Sequence, residues 1–132
     1  MSHVFPVRVY YEDTDLAGIV YYANYLKFIE RGRSEWVRSL GIDQSRLRDD
    51  PGIVFAVRRV EADYLSPARF DDLLEVRTGL RSLTGARICL AQSVWRGDLC
   101  LFDAVVTLVA LSATGAPARI PAQARASLAQ GA

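Results

Sequence analysis

The stretch YANYLKFIERGRSEWVRSL, residues 22–40, decides the fold. At about 100° per residue, Tyr22, Tyr25, Leu26, Ile29, Gly32, Trp36, Val37 and Leu40 fall on one continuous arc. Asn24, Lys27, Arg31, Ser34, Glu35 and Arg38 fall opposite. This is the pattern of an amphipathic helix, and Gly41 stands where such a helix ends in a left-handed residue. Two residues break the pattern: Arg33 lies inside the apolar arc and Phe28 outside it. Arg33 reads as a structural cation, paired with Glu30 or with an acid from a facing sheet. Phe28 is either a lone surface aromatic or a contact for a partner subunit. Glycine inside a helix costs ~1 kcal/mol relative to alanine. Gly32 on the apolar side therefore predicts a close approach by another backbone.

Outward from the helix the periodicity falls to two. Residues 4–12 read as a strand, with Val7 and Val9 on one face and Arg8 and Tyr10 on the other. Residues 13–18, DTDLAG, read as a turn. After the helix come a loop over 43–52 and strands over 53–64, 72–83, 87–95 and 99–111. Thr84-Gly85 and Gly97-Asp98 serve as hairpin joins. In the strand over 72–83, Val76, Thr78 and Leu80 alternate with Arg77, Gly79 and Arg81, so one face is covered and the other wetter. A two-residue turn at Gly97-Asp98 pairs Arg96 with Leu99 and Trp95 with Cys100. That register, continued, sets Val106 beside Cys89, which disfavours a Cys89–Cys100 disulfide.

The order strand, helix, four strands predicts an α+β fold: a long helix on a strongly bent antiparallel sheet of about five strands. A single domain is expected over residues 1–132, of which 117–132, rich in Ala, Gln and Pro, form a loose C-terminal tail.

With 132 residues, 51% hydrophobic and 23% charged, the chain is of ordinary globular composition and long enough to bury a core without disulfides or metals. Its 16 basic and 15 acidic residues leave a net charge of +1, which is no footprint for a general nucleic-acid binder. The longest apolar run, 104–111, falls far short of the ~18 residues of a membrane span. The first residues lack the apolar run of a signal peptide. The expected compartment is the cytoplasm, with reduced thiols. His3, the only histidine, is expected at the loose start of the chain. One histidine and two cysteines furnish no structural zinc site, and His-dependent triads and His-ligated metals are excluded. Acid–base chemistry falls to carboxylates, tyrosines, backbone amides and water. There is no Gly-x-Gly-x-x-Gly, Walker or Gly-x-Ser-x-Gly motif.

The cluster Glu12-Asp13-Thr14-Asp15 lies just before Gly18 and the helix. On an extended chain Asp13 and Asp15 point the same way; otherwise the cluster is a polar turn. Residues 19–23, IVYYA, offer no Ser, Thr, Asp or Asn to cap the helix, and only Asn24, further in, could do so. The first amides of an uncapped helix have no internal acceptor and carry about half a positive charge together. A carboxylate just upstream of such amides pairs an attacking or basic group with an oxyanion donor. Arg58, Arg59 and Arg69 either meet phosphates or are solvated charges on strand edges.

The run VYYEDTDLAGIVYYANY, residues 9–25, with ERGRSE at 30–35, resembles hotdog-fold acyl-CoA thioesterases of the 4-hydroxybenzoyl-CoA thioesterase family. It is most similar to the YbgC-type branch associated with the Tol-Pal envelope system. DYLSPARFDD, residues 63–72, is similar to the same branch. The resemblance runs from Val4 to Leu111. It implies a helix wrapped by a curved sheet, paired into homodimers that often form homotetramers. It implies hydrolysis of an acyl-CoA, short-chain aliphatic or aromatic, with coenzyme A as part of the substrate and no separate cofactor or metal. The family's catalytic carboxylate matches Asp15, and its carbonyl-binding amide matches Tyr22, with Ala23 beside it. Asp15 then either attacks the carbonyl or activates water. Arg58, Arg59 and Arg69 are the candidates for the coenzyme A phosphates at a subunit interface. Tyr22 stands where many YbgC-type proteins carry His and the hydroxybenzoyl enzymes carry Tyr, which leaves the acyl preference open. A reading of another class is a non-catalytic module binding acyl-CoA or acyl carrier protein in lipid or envelope organisation. A hotdog dehydratase would need a catalytic His that His3 is badly placed to supply.

Overall fold

In the computed structural model, which describes residues 2–131, each period-two run becomes a strand. The elements are β1 (His3–Arg8), α1 (Asn24–Ser39), α2 (Gln44–Asp49), β2 (Val54–Tyr64), β3 (Leu73–Leu83), β4 (Arg87–Arg96), β5 (Leu99–Leu111) and α3 (Ala122–Gln130). The five strands form one sheet in the order β1-β3-β4-β5-β2, every pairing antiparallel. Register shifts interrupt β2 at Val57/Arg59, β3 at Leu80/Ser82 and β5 at Leu101, which is passed over between the Val94–Phe102 and Trp95–Cys100 pairs. Such bulges bend a strand and increase its twist, which curves the sheet around α1. Helix α1 contacts β1, β3 and β4, and the core between them holds Phe28, Ile29, Leu74, Val76, Leu90 and Val94. The expected α+β architecture of one long helix on a bent five-stranded sheet is present. No helix among the described residues is long and apolar enough to cross a membrane.

Several local expectations are corrected. The buried stripe of α1 carries Asn24, Tyr25, Phe28, Ile29, Gly32, Trp36 and Val37. Phe28 is therefore core, fully covered, with its ring edge-on to Tyr25. Leu26, by contrast, is 42% exposed. The stripe is turned by about half a residue position, ~50°, from the arc its apolar residues draw, because Tyr22 and Leu26 face away from their own sheet. Arg33 forms no ion pair with Glu30; its Nη1 donates to Gln92 Oε1 at 3.2 Å. Gln92 in turn donates to the Ile29 carbonyl at 2.8 Å and to Thr78 Oγ1 at 2.9 Å. Burial lowers the Arg33 pKa from its ordinary value, and the charge of Glu30 opposes that shift. At Gly32 the close neighbour is the Val76 side chain rather than a backbone.

Strand β1 stops at Arg8, not at residue 12, because the Asp13 carboxylate accepts the Tyr10 N–H at 2.8 Å and winds Tyr11–Asp13 into a 3-10 turn. His3 lies within β1 opposite Thr78, not on a loose end. The loop over 43–52 contains α2, whose first amides Asp43 caps at 3.0 and 3.2 Å. The bulge at Leu101 in β5 pairs Val94 with Phe102 and so sets Cys89 opposite Thr107 rather than Val106. Both cysteines are free. Residues 117–131 are not a loose tail: Ile120, Ala124 and Leu128, four apart, are buried, and Gly131 lies against the Trp36 indole. Met1 and Ala132, the ends of the expected domain, lie outside the described residues. Edge strand β2 keeps apolar side chains in the open, with Val57 47% and Val60 37% exposed.

Candidate active site

In the antiparallel order β1 and β2 run the same way, so the chain leaving each emerges at the same end of the sheet. Beyond β1, Val9 exchanges backbone bonds with Asp71 and Asp72, both 2.9 Å. The chain then folds back on itself, with Thr14 bridging to Val20 and Asp15 N–H donating to the Ile19 carbonyl at 2.9 Å. Gly18 closes this loop at φ +77°, the left-handed region that favours glycine. The two aspartates divide their tasks. Asp13 is buried, and its carbonyl takes the Tyr21 N–H and Asn24 Nδ2–H, each at 2.9 Å. Asp15 is exposed; its Oδ1 accepts the Ala17 N–H at 2.9 Å. Asp13 and Asp15 therefore do not share a face.

The start of α1 is bare, as the sequence suggests. Ala23 takes the N-cap position with no side-chain cap, and Asn24 turns back to Asp13 instead of capping. Asn24 N–H donates to the Tyr21 carbonyl at 2.8 Å and Leu26 N–H to the Ala23 carbonyl at 3.2 Å. The N–H groups of Tyr22 and Ala23 meet no acceptor among the described residues. With α1 behind them they form an electropositive pair of donors.

Beside these donors lies a cavity of about 410 Å³ lined by Asp15, Tyr21, Tyr22, Tyr25, Tyr64 and Pro67, among others. Its far wall is the connection from β2 to β3. Arg96 Nη1 holds that connection through Asp72 Oδ2 at 2.8 Å and the Pro67 carbonyl at 3.3 Å. Burial raises the Asp72 carboxyl pKa, but the Arg69 N–H and the Arg96 guanidinium outweigh it and hold the group below its ordinary range. Tyr25 Oη accepts the Ala68 N–H at 3.1 Å, and burial pushes the Tyr25 phenol up. The Tyr64 hydroxyl donates to the Tyr22 carbonyl at 2.9 Å. The Tyr25 and Tyr64 rings both pack at 5.0 Å on Phe102. A cavity of about 480 Å³ at the α1–α2 turn has one carboxylate, Asp43, already spent on the α2 amides.

The structure thus brings Asp15 and Tyr22 to one cavity, with Ala23 next in the chain. Arg69 stands at its rim, where its backbone bridges to Ile19. Arg58 and Arg59 are elsewhere: they sit at the β2 bulge, with Arg59 3.1 Å from Glu61. At ~3.3 Å per residue they are roughly 16–20 Å along β2 from Tyr64. Sequence reasoning missed Tyr25 and Tyr64 as cavity residues. The available signal was the clustering of tyrosines at the two ends that meet here.

Residues 17–102 match the thioesterase superfamily. The chain is 45% identical over 102 residues to the acyl-CoA thioesterase YbgC of Haemophilus influenzae, covering 77% of this chain and 75% of that one. It is 39% identical over 104 residues to the acyl-CoA thioester hydrolase YbgC of Escherichia coli O6:H1, covering 79% and 77%. Among solved structures, a probable thioesterase from Bartonella henselae superposes with a TM-score of 0.88 at 39% identity, covering 92% of this chain and 100% of that one.

Proposed function

The chain belongs to the thioesterase superfamily, and from that premise we propose that its Asp15 cavity is where an acyl-CoA thioester is cut to free acid and coenzyme A. It is an acyl-CoA thioester hydrolase of hotdog fold. The observation that carries the proposal is an exposed carboxylate on the same cavity as Tyr22, whose N–H, like that of Ala23 next in the chain, has no acceptor among the described residues. The acyl carbonyl oxygen sits at the N–H of Tyr22 and Ala23, which hold the charge that develops on it. Losing one such donor costs ~10²–10³ in rate in other enzymes. The Ala17 N–H fixes one oxygen of Asp15, and the other faces the reaction. It either attacks the carbonyl carbon, expelling the coenzyme A thiolate and leaving a mixed anhydride for water to open, or takes a proton from the attacking water.

The tyrosines around the cavity suit a short aliphatic or flat aromatic acyl group. Arg69 at the rim is the first candidate for the coenzyme A phosphates, with Arg58 and Arg59 further along β2. Coenzyme A enters as part of the substrate, and an acyl carrier protein is a second carrier of the same thioester. The unpaired apolar edge of β2 supports pairing of two copies into a homodimer or homotetramer. The cytoplasm is the compartment that fits two free cysteines.

The test is thiol release from a panel of acyl-CoAs, aliphatic and benzoyl, with wild type and Asp15→Asn side by side. Turnover should fall at least ~10³-fold in the variant while acyl-CoA binding persists. Wild-type turnover in Asp15→Asn overturns the assignment. Binding without turnover by the wild type would mean a non-catalytic acyl-CoA module.

A further inference from the structure

The Tyr22 carbonyl has an unusual partner. Tyr22 precedes the N-cap Ala23, so no N–H of the helix ladder is due to its carbonyl. Leu26 N–H goes to the Ala23 carbonyl at 3.2 Å, and the Tyr22 carbonyl accepts from the Tyr64 hydroxyl at 2.9 Å. The Tyr22–Ala23 peptide, at the bare start of the helix, is thus anchored by a side chain from the far edge of the sheet. The N–H of this same peptide is that of Ala23, one of the two amides without an acceptor. In a trans peptide N–H and C=O point in opposite directions, so a donor on the carbonyl side fixes where the N–H aims. It also strengthens that N–H as a donor, since linked hydrogen bonds polarise one another.

The Tyr64 ring is braced independently of its hydroxyl. It packs edge-on to Tyr25 at 5.5 Å and to Phe102 at 5.0 Å, at the end of β2. Removing only the oxygen therefore leaves the ring in place and the peptide unsupported.

We propose that Tyr64 is a positioning residue for the reaction: its hydroxyl holds and polarises the Tyr22–Ala23 peptide so that the Ala23 N–H stays aimed at the developing oxyanion. This rests on the reading that the Tyr22 and Ala23 amides bind the thioester carbonyl. Without the hydroxyl, the carbonyl is free to take a water or the Leu26 N–H, and either rotates the peptide.

Tyr64→Phe tests it. Because a donor is weakened and not lost, kcat should fall about 3- to 10-fold, short of the ~10²–10³ of a missing donor. KM should stay within about twofold, since the effect falls on the transition state and not on binding. The melting temperature should change little. Independently of turnover, the Ala23 amide proton should move upfield in Tyr64→Phe, with the Tyr21 amide unmoved. Unchanged kcat, a loss carried by KM, or an unmoved Ala23 amide overturns the proposal. An active wild type, an inactive Asp15→Asn and a Tyr64→Phe with wild-type kcat overturn this inference alone. A wild type without turnover overturns the underlying function as well.

Discussion

Gly32 sets two physical effects against each other, and Gly32→Ala reads which prevails. It lies inside α1 and faces β3. By helix propensity alone, alanine there should stabilise by about 1 kcal/mol. At ~3–5 °C per kcal/mol for a domain of this size, the melting temperature would rise by that amount. Packing says the reverse. A Cβ on residue 32 would overlap Val76 Cγ1 and crowd Val76 Cβ at 3.1 Å. Val76 is fully buried in β3, paired with Phe5 and Val94. Its branched side chain is stiff at χ1 and cannot swing aside cheaply. Overpacking of this kind typically costs about 1–3 kcal/mol. The net expectation is destabilisation of up to about 2 kcal/mol, a fall of up to roughly 10 °C. The assay is thermal melting of a double-mutant cycle with Val76→Ala. In the Val76→Ala background the Cγ1 overlap is gone and only the tight Cβ contact at 3.1 Å remains, so Gly32→Ala should turn stabilising. A single variant that melts higher than wild type, or a cycle without the change of sign, refutes the packing argument.

The remaining expectations concern the C-terminal helix and the wall of the cavity. Leu128→Ala should cost about 2–5 kcal/mol in chemical denaturation; a change within experimental scatter would mean that α3 is docked only loosely. Asp72→Asn should lower the urea midpoint at pH 7. The native carboxyl is held below its ordinary range, so its contribution is present above pH ~4 and lost as pH falls through the native pKa. The gap between variant and wild type should therefore close towards pH 2.5, and a gap constant with pH would contradict the ion pair.

The strands were legible because turn residues bound them: Gly97-Asp98 and Thr84-Gly85 fixed the hairpins, and β5 falls on the expected residues. What a strand faces across a bulge was not legible. The β5 bulge at Leu101 leaves no mark in composition, yet it moved Cys89 from Val106 to Thr107. The orientation of α1 was misread because hydrophobicity locates apolar residues without saying what covers them. Phe28 is buried by its own sheet, while Tyr22 lines the cavity and Leu26 stands exposed. Helix α2 was readable from Asp43 as its cap, but six residues are too few to show a helical period. At the site, the missing cap before α1 was a reliable signal. That Asp13 would turn inward was not, because it depends on a backbone bond to Tyr10 that only the folded turn creates.

The cavity is bounded on one side by the loop that leaves β1 and on the other by the last residue of β2, the two outermost strands of the sheet. Four inter-strand steps separate them, and at ~20–25° each they accumulate roughly 80–100° of rotation. The gap between Asp15 and Tyr64 is therefore a long lever's reading of a small angle. The bonds that cross the gap, Val20 N–H to the Ala68 carbonyl at 2.8 Å and the Tyr64 hydroxyl to the Tyr22 carbonyl at 2.9 Å, latch the two ends of that curve together. In this molecule the sheet works as a caliper whose jaws close on each other at the cavity.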